Sequence, residues 1–189
     1  MLASTSPYRR ALLERLRLPF EVQAPLVDEA PLAGEAARDI ALRLAQLKAR
    51  AVAPSFPKAL VIGCDQVAVL DGACLGKPGS HANAVSQLKA MRGKNVLFHT
   101  ALALLNTESA AMQTAEVPTA VHFRQYDDNE IERYLELERP YDCAGSAKIE
   151  GLGITLIERI NTDDPTSLIG LPLIALTQLL ADAGAPVLG

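Results

Sequence analysis

The chain has 189 residues, of which 49% are apolar, and its formal net charge is −4 at pH 7. This length and composition fit one substantial domain with a packed core and exclude an intrinsically disordered protein. The negative charge argues against broad, non-specific binding to nucleic acid, but it permits a local basic pocket for a small anionic substrate.

The predicted elements alternate between helix and strand along the chain. In chain order they are a helix over 7–17, a strand over 20–23, a loop over 24–34, a helix over 35–53, a strand over 60–70, a helix over 81–92, strands over 95–105 and 112–124, a helix over 128–137, a loop over 138–153, a strand over 154–160, a short helical turn from 164 and a helix over 171–183. Asp71-Gly72 is a two-residue hairpin signal, so the sheet is expected to be mixed. Asp127 followed by Glu130 resembles a capping box for the helix over 128–137. The alternation predicts an α/β layered domain.

The cysteines and the N-terminal region bear on where the protein resides. Cys64, Cys74 and Cys143 are odd in number and lack CxxC spacing, which predicts neither a disulfide framework nor a zinc site and favours a reducing compartment. No segment has the unbroken apolar length of a membrane span, and Arg9 and Arg10 interrupt the start of the chain before a signal peptide could form. We therefore expect a cytoplasmic protein that binds neither a membrane nor nucleic acid.

The opening helix carries an unusual charge pattern. Ser6 is a suitable N-cap and Pro7 suits the first helical position, where its missing N–H has no intrahelical partner. Arg9 and Arg10 then lie in the first turn, where the helix dipole is already positive. An anion bound at this end of the helix would explain the two arginines.

Asp65 interrupts the strongly apolar strand predicted over 60–70. An ionised carboxylate is costly to bury unless it is paired or binds a metal ion. A strand-end aspartate that caps a neighbouring backbone N–H is an equally weighted alternative. Gly63, two residues earlier, permits the close approach of a ligand or of another backbone.

Lys77 follows the predicted hairpin, which would bring it back towards the Asp65 end of the strand; the alternative is a turn with a solvated lysine. Other charged residues are also candidates for a functional site, although residues of this kind are most often exposed surface charges or parts of ordinary connecting loops. They are Asp28, Glu29, Lys48 and, in the small-residue loop over 144–151, Lys148 and Glu150.

Together these residues form a chemical inventory for phosphoryl transfer, which needs charge neutralisation, positioning and an oriented nucleophile. The cations that can neutralise a polyphosphate are Arg9, Arg10, Lys48, Lys77 and Lys148. Asp65 and Glu29 can hold a divalent ion or activate water. No cysteine or serine nucleophile with a histidine base is evident, which favours direct attack by water.

Five segments, in order and at matching spacing, resemble the Maf family of nucleotide pyrophosphatases, and the resemblance runs essentially end to end. The segments are LASTSPYRRALL at 2–13, Asp28-Glu29, GCDQ at 63–66, LGKP at 75–78 and GSAKIEG at 145–151. Tyr8, Gln66 and the IGLPLI tail at 169–174 resemble the subgroup that acts on 7-methyl-GTP, whereas relatives acting on dTTP and UTP carry Thr after the motif Asp. Two departures are Cys64, where Ser or Ala is usual, and Ala147, where the subgroup often has an aromatic residue.

The resemblance implies a cytoplasmic enzyme that cleaves a nucleoside triphosphate to the monophosphate and diphosphate with a divalent cation (Mg²⁺, Mn²⁺ or Co²⁺), and it is compatible with a homodimer. It implies one Maf-like, ITPase-like domain over 1–189, with an elongated mixed sheet flanked by helices and two lobes with a central cleft. Asp65 matches the proposed general base and, with Glu29, a metal ligand. The residues that match the family's phosphate- and metal-site positions are Ser4, Arg9, Arg10, Glu29, Lys48 and Lys77. Those that match the family's positions for substrate choice are Tyr8, Gln66 and Glu150. Lys148 matches another position in the family's pocket.

Base recognition has two interpretations. A 7-methylated guanine is positively charged, so Glu150 can favour it and Tyr8 can stack on it. Alternatively, Glu150 pairs with Lys148 or an arginine, and Tyr8 only packs at the helix start.

At the level of function, the alternatives are a pyrophosphatase with another base preference (UTP, dTTP or a modified pyrimidine), a non-catalytic nucleotide-binding regulator of cell division, and a purely structural domain. The enzyme hypothesis requires the basic side chains of the opening helix and Lys77 to converge on Asp65 in one cavity.

Overall fold

The computed structural model describes residues 1–189 and confirms the predicted α/β class, with a mixed seven-stranded sheet flanked by five α-helices. The strands are β1 (Leu2–Ala3), β2 (Val22–Gln23), β3 (Leu60–Leu70), β4 (Ala73–Leu75), β5 (Asn95–Asn106), β6 (Met112–Phe123) and β7 (Ile157–Asn161). The helices are α1 (Pro7–Glu14), α2 (Ala37–Val52), α3 (His81–Met91), α4 (Asp128–Glu138) and α5 (Leu173–Asp182). No helix is both long and apolar enough to cross a lipid bilayer.

Parallel and antiparallel pairings together make the sheet mixed. The strand order is β2-β1-β3-β5-β6-β7, and β4 pairs with β3 outside this path. Strand β1 is parallel to both β2 and β3, whereas β3 with β4 and β6 with β7 are antiparallel. The predicted hairpin at Asp71-Gly72 is confirmed, and both residues have the positive φ angles, 50° and 83°, that a tight hairpin turn needs.

The chain forms two compact units. The first comprises Met1–Gln66, His99–Val117 and Asp164–Gly189, and the second comprises Val67–Phe98 and Pro118–Asp163. Strands β3, β5 and β6 contribute residues to both units. The expected single domain with a central cleft and the homodimer stay predictions.

Strand β3 packs on both of its faces in the first unit. Ile62 and Cys64 join an apolar cluster that includes Leu12 and Leu13 of α1 and residues of α5. The other face meets α2 so closely that a Cβ atom at Gly63 would lie 2.0 Å from the carbonyl oxygen of Ala45. The close approach predicted at Gly63 is therefore that of a helix backbone.

The second unit contains α3 and α4, and the predicted capping box begins α4. Asp127 Oδ1 accepts from the backbone N–H of Glu130 at 2.8 Å, and Glu130 Oε2 accepts from the N–H of Asp127 at 2.8 Å. The buried Tyr134 hydroxyl donates to the carbonyl of Ser146 at 3.0 Å and accepts from the N–H of Lys148 at 3.0 Å. These bonds tie the small-residue loop to α4, and burial raises the pKa of Tyr134.

Two element boundaries, the end of α1 and the start of β7, differ most from the sequence prediction. Helix α1 ends at Glu14, and the chain then turns through Arg17 with a φ of 55°. The strand predicted over 154–160 begins only at Ile157, because residues 152–156 form a 3-10 turn. The short helical turn predicted from 164 is confirmed as hydrogen-bonded turns over 165–170, in which the N–H groups of Ser167, Ile169 and Gly170 donate to carbonyls three or four residues earlier.

Replacing Gly63 by alanine tests the contact between α2 and β3. We expect Gly63→Ala to lower the free energy of unfolding by about 3 kcal/mol, because the new methyl group overlaps backbone that cannot retreat cheaply. Urea denaturation measures the effect. Gly76→Ala is the matched control, since a Cβ there meets nothing within 4 Å; equal stability losses would contradict the prediction.

Candidate active site

A buried lysine joins two carboxylates at the contact between α2 and β3. Lys48 Nζ donates to Asp65 Oδ1 at 2.6 Å and lies 2.8 Å from Glu29 Oε1. The Lys48 and Asp65 side chains are only 7% and 10% exposed, whereas that of Glu29 is 56% exposed. The cost of burying Asp65 is thus offset by an ion pair, and the alternative of a strand-end cap is wrong.

The loop that carries Glu29 is tied to α2 by Arg43. The Arg43 guanidinium donates to both carboxylate oxygens of Glu35, at 2.6 and 2.7 Å, and to the carbonyl of Ala30 at 3.2 Å. This bidentate contact holds the pKa of Glu35 below its usual value. Sequence reasoning missed Arg43, because an arginine on an amphipathic helix resembles any other surface charge.

The two arginines of α1 have different environments. Ser6 Oγ accepts from the backbone N–H of Arg9 at 3.3 Å, which confirms the predicted N-cap, and the buried Ser4 Oγ accepts from the N–H of Ser6 at 3.1 Å. Arg9 Nε donates to the carbonyl of Gly170 at 2.9 Å, so its two terminal amino groups remain for another ligand. Arg10 pairs with Glu14 at 3.0 Å on the exposed side of the helix. Tyr8 lies half-buried in the same turn.

Gln66 points to the face of β3 opposite Asp65. The two N–H groups of its Nε2 are donated among three acceptors, Thr100 Oγ1 at 2.9 Å and the carbonyls of Ser167 and Leu168 at 3.0 and 3.2 Å. Because carbonyls only accept hydrogen bonds, the amide orientation is fixed and Oε1 is left as the acceptor that Gln66 can offer a ligand.

The remaining candidates belong to the second unit. Lys77 is exposed on the loop after β4. Lys148 Nζ donates to Glu138 Oε1 at 2.6 Å, and Glu138 Oε2 accepts from the N–H of Leu152 at 2.7 Å. Glu150 is exposed, and desolvation of its carboxyl group raises its pKa. The convergence of Lys77 on Asp65 stays a prediction.

The carboxylates of the first unit fit a divalent cation in a limited way. Nowhere do three His, Cys, Asp or Glu side chains form a cluster that could hold a metal ion. Glu29 and Asp65 provide two hard oxygen donors on either side of Lys48. Mg²⁺ is commonly bound by one or two carboxylates together with substrate phosphates, so this donor set suits a cation that arrives with a triphosphate.

Sequence comparison gives the family. The profile described as "Maf-like protein" matches residues 1–183. The chain belongs to the Maf family. The resemblance carried by the five motifs is therefore confirmed over nearly the full chain.

Curated relatives of this Maf protein match over its whole length. A 7-methyl-GTP pyrophosphatase of Thiobacillus denitrificans is 60% identical over 188 residues, which cover 100% of this chain and 94% of the relative. Proteins of the same name from Cupriavidus metallidurans and Paraburkholderia xenovorans are both 58% identical, again over 100% of this chain and over 95% and 94% of the relatives.

Removing Lys48 tests the buried ion pair. We expect Lys48→Met to lower the free energy of unfolding by about 3–5 kcal/mol, because it leaves the Asp65 carboxylate buried without its cation. Adding Asp65→Asn should recover much of this loss. Arg10→Gln, which removes an exposed pair, is the control and should cost less than about 1 kcal/mol. Chemical denaturation measures all four proteins, and an unstable double variant would contradict the account.

The pair between Glu138 and Lys148 predicts a pH dependence. Hydrogen bonds from Lys148 and from the Leu152 N–H lower the pKa of Glu138 below its ordinary value of 4.5. Its stabilising effect is therefore complete above pH 4.5 and is lost as the pH falls through the lowered pKa. The stability difference between wild type and Glu138→Gln should be largest near neutral pH and should shrink in acid. Thermal unfolding at several pH values measures it, and a difference that grows in acid would refute the assignment.

Proposed function

We propose that this Maf protein hydrolyses 7-methyl-GTP between the α and β phosphates to give 7-methyl-GMP and diphosphate. The full-length relatives named 7-methyl-GTP pyrophosphatase support the substrate. The observation that carries the chemistry is the buried Lys48–Asp65 pair with Glu29, which puts one cation and two carboxylates in contact. Such a cluster suits attack by water on a charged phosphate better than covalent catalysis.

Arginine and lysine side chains would neutralise the negative charge of the bound triphosphate. A triphosphate carries about four negative charges, so the net charge of −4 makes local placement of Arg and Lys essential. Arg9 is prepared for this role, because the bond from its Nε to the Gly170 carbonyl anchors the guanidinium and leaves the terminal amino groups to contact phosphate oxygens. Arg10 and Lys77 are exposed cations that can join it.

Asp65 is the proposed acid–base residue. Lys48 holds its Oδ1, which leaves Oδ2 to accept a proton from the attacking water. Glu29 and Asp65 would also hold a divalent cation, which when bound neutralises phosphate charge and lowers the pKa of a coordinated water. In both roles Lys48 orients the carboxylate.

Base selection is assigned to three residues. Tyr8 offers an aromatic face at the start of α1, and a cationic 7-methylguanine stacks on such a face more favourably than a neutral base. Gln66 offers Oε1 as an acceptor, which suits the N–H donors of guanine. Glu150 adds negative charge that favours the methylated base.

The proposal is tested with a panel of triphosphates assayed for diphosphate release with Mg²⁺, Mn²⁺ or Co²⁺. We expect 7-methyl-GTP to have the highest kcat/KM, above GTP, UTP and dTTP, and chelation to abolish turnover. A preference for UTP or dTTP would overturn the base assignment. Tight binding of every triphosphate without diphosphate release would favour a nucleotide-binding regulator.

Replacement of the carboxylate tests the chemical step. We expect Asp65→Asn to reduce kcat by a factor of about 10²–10⁴, with the fold retained, because the amide cannot take a proton from water. Asp39→Asn, an exposed substitution on α2, is the matched control and should keep wild-type turnover. Near-wild-type turnover of Asp65→Asn would refute the assignment.

A further inference from the structure

The segment before α5 is held by a buried carboxylate that the proposed function does not use. Asp164 is 2% exposed. Its Oδ1 accepts a hydrogen bond from the backbone N–H of Thr166 at 3.0 Å and another from the Thr166 hydroxyl at 2.7 Å. Its Oδ2 accepts from the N–H groups of Ile174 and Ala175 at 2.7 and 3.4 Å. One side chain therefore closes the segment onto the first turn of α5.

Thr166 makes a second closure across the same segment. Its Oγ1 accepts from the N–H of Leu173 at 2.8 Å and lies 2.9 Å from the carbonyl oxygen of Leu171. A hydroxyl has one proton, so Asp164 Oδ1 and the Leu171 carbonyl share it. The backbone between 166 and 171 is thus fixed at both ends.

The fixed segment directs its carbonyls at residues of the proposed site. The Gly170 carbonyl accepts from Arg9 Nε and from Cys64 Sγ, both at 2.9 Å. The Ser167 carbonyl accepts from Gln66 Nε2 at 3.0 Å and from Thr100 Oγ1 at 3.1 Å. Gly170 has a φ of 120°, which other residues rarely adopt, and the turn to Arg9 depends on it.

These hydrogen bonds determine which atoms of Arg9 and Gln66 are available to bind the nucleotide. With Nε bonded to Gly170, the Arg9 guanidinium is anchored at one donor, and its terminal amino groups remain to contact phosphate oxygens. With Nε2 bonded to carbonyls, a flipped Gln66 amide would place oxygen against oxygen. One segment therefore orients a phosphate-binding cation and a base-reading amide together.

We infer that Asp164 is a positioning residue of the nucleotide site: it fixes segment 166–171, whose carbonyls orient Arg9 and Gln66. The inference rests on the proposed function in one respect, that Arg9 and Gln66 contact the nucleotide. Asp164 itself acts through the segment and has no contact with the reacting atoms.

Asp164→Asn is the test, with the neighbouring exposed Asp163→Asn as its matched control. Asparagine has one acceptor oxygen, so one of the two sets of donors must face an N–H₂ group. The direct readout is hydrogen exchange at the Arg9 Nε–H, measured by ¹⁵N NMR and assigned by its loss in Arg9→Lys. We expect exchange at least 10-fold faster in Asp164→Asn and unchanged in Asp163→Asn. Unchanged protection in Asp164→Asn would overturn the inference, whatever the activity.

Kinetics give the second readout. We expect Asp164→Asn to raise KM for 7-methyl-GTP about 10-fold at temperatures where the variant is fully folded. The same substitution in an Arg9→Lys background should have a much smaller effect, because residues that act through one another are not additive. Full additivity would overturn the link to Arg9. If Asp164→Asn does not fold, Thr166→Val cuts the same closure and must show the same two results.

The two proposals fail in different ways. A wild-type protein that leaves 7-methyl-GTP intact refutes the proposed function, while the Arg9 Nε–H exchange still decides whether Asp164 fixes the segment. A wild-type enzyme that is active, with Asp164→Asn kinetics and exchange unchanged, refutes the positioning role alone.

Discussion

The structure depends on placing an ion pair where a helix packs directly on a strand. Lys48 and Asp65 are both nearly buried, and their contact is possible because Gly63 lets the α2 backbone approach β3. A side chain at 63 would separate helix and strand, and Asp65 would lose the cation that makes its burial tolerable. The burial of Asp65 with Lys48 therefore depends on Gly63, which has no side chain.

Because side chains alternate along β3, neighbouring site residues have hydrogen-bond partners on opposite faces of the sheet. Asp65 faces α2, where Lys48 holds one of its oxygens, whereas Gln66 faces Thr100 and the segment before α5. Consecutive residues of one strand thus draw on separate sets of partners. Arg9 joins the second set through Gly170, so residues proposed to bind the phosphates and the base share one backbone support.

Local signals in the sequence predicted much of the fold. Each of three predicted features depends on no more than four consecutive residues, and all three are confirmed. They are the Asp71-Gly72 hairpin, the Ser6 cap and the capping box at Asp127. The strand over 60–70 was visible because its apolar run is unbroken except at Asp65 and Gln66. Where short-range rules failed, as at 154–156, a glycine-flanked loop continued as a 3-10 turn.

The partners of the site residues could not be predicted in the same way. Lys48 and Asp65 are 17 residues apart, Gln66 and Ser167 are 101 apart, and Arg9 and Gly170 are 161 apart. Periodicity and capping rules carry no information over such separations, so Thr100, Asp164 and Arg43 looked like ordinary polar residues. The charged site residues stood out by their type and position, Tyr8 and Gln66 were found through resemblance, and the supports of all of them only through the fold.

In the proposed reaction, water activated at Asp65 attacks the α-phosphorus of 7-methyl-GTP. Hydrolysis in H₂¹⁸O, followed by mass spectrometry of both products, tests it most directly. The account predicts one ¹⁸O atom in 7-methyl-GMP and none in diphosphate. Label in the diphosphate, or release of 7-methyl-GDP and phosphate, would contradict it.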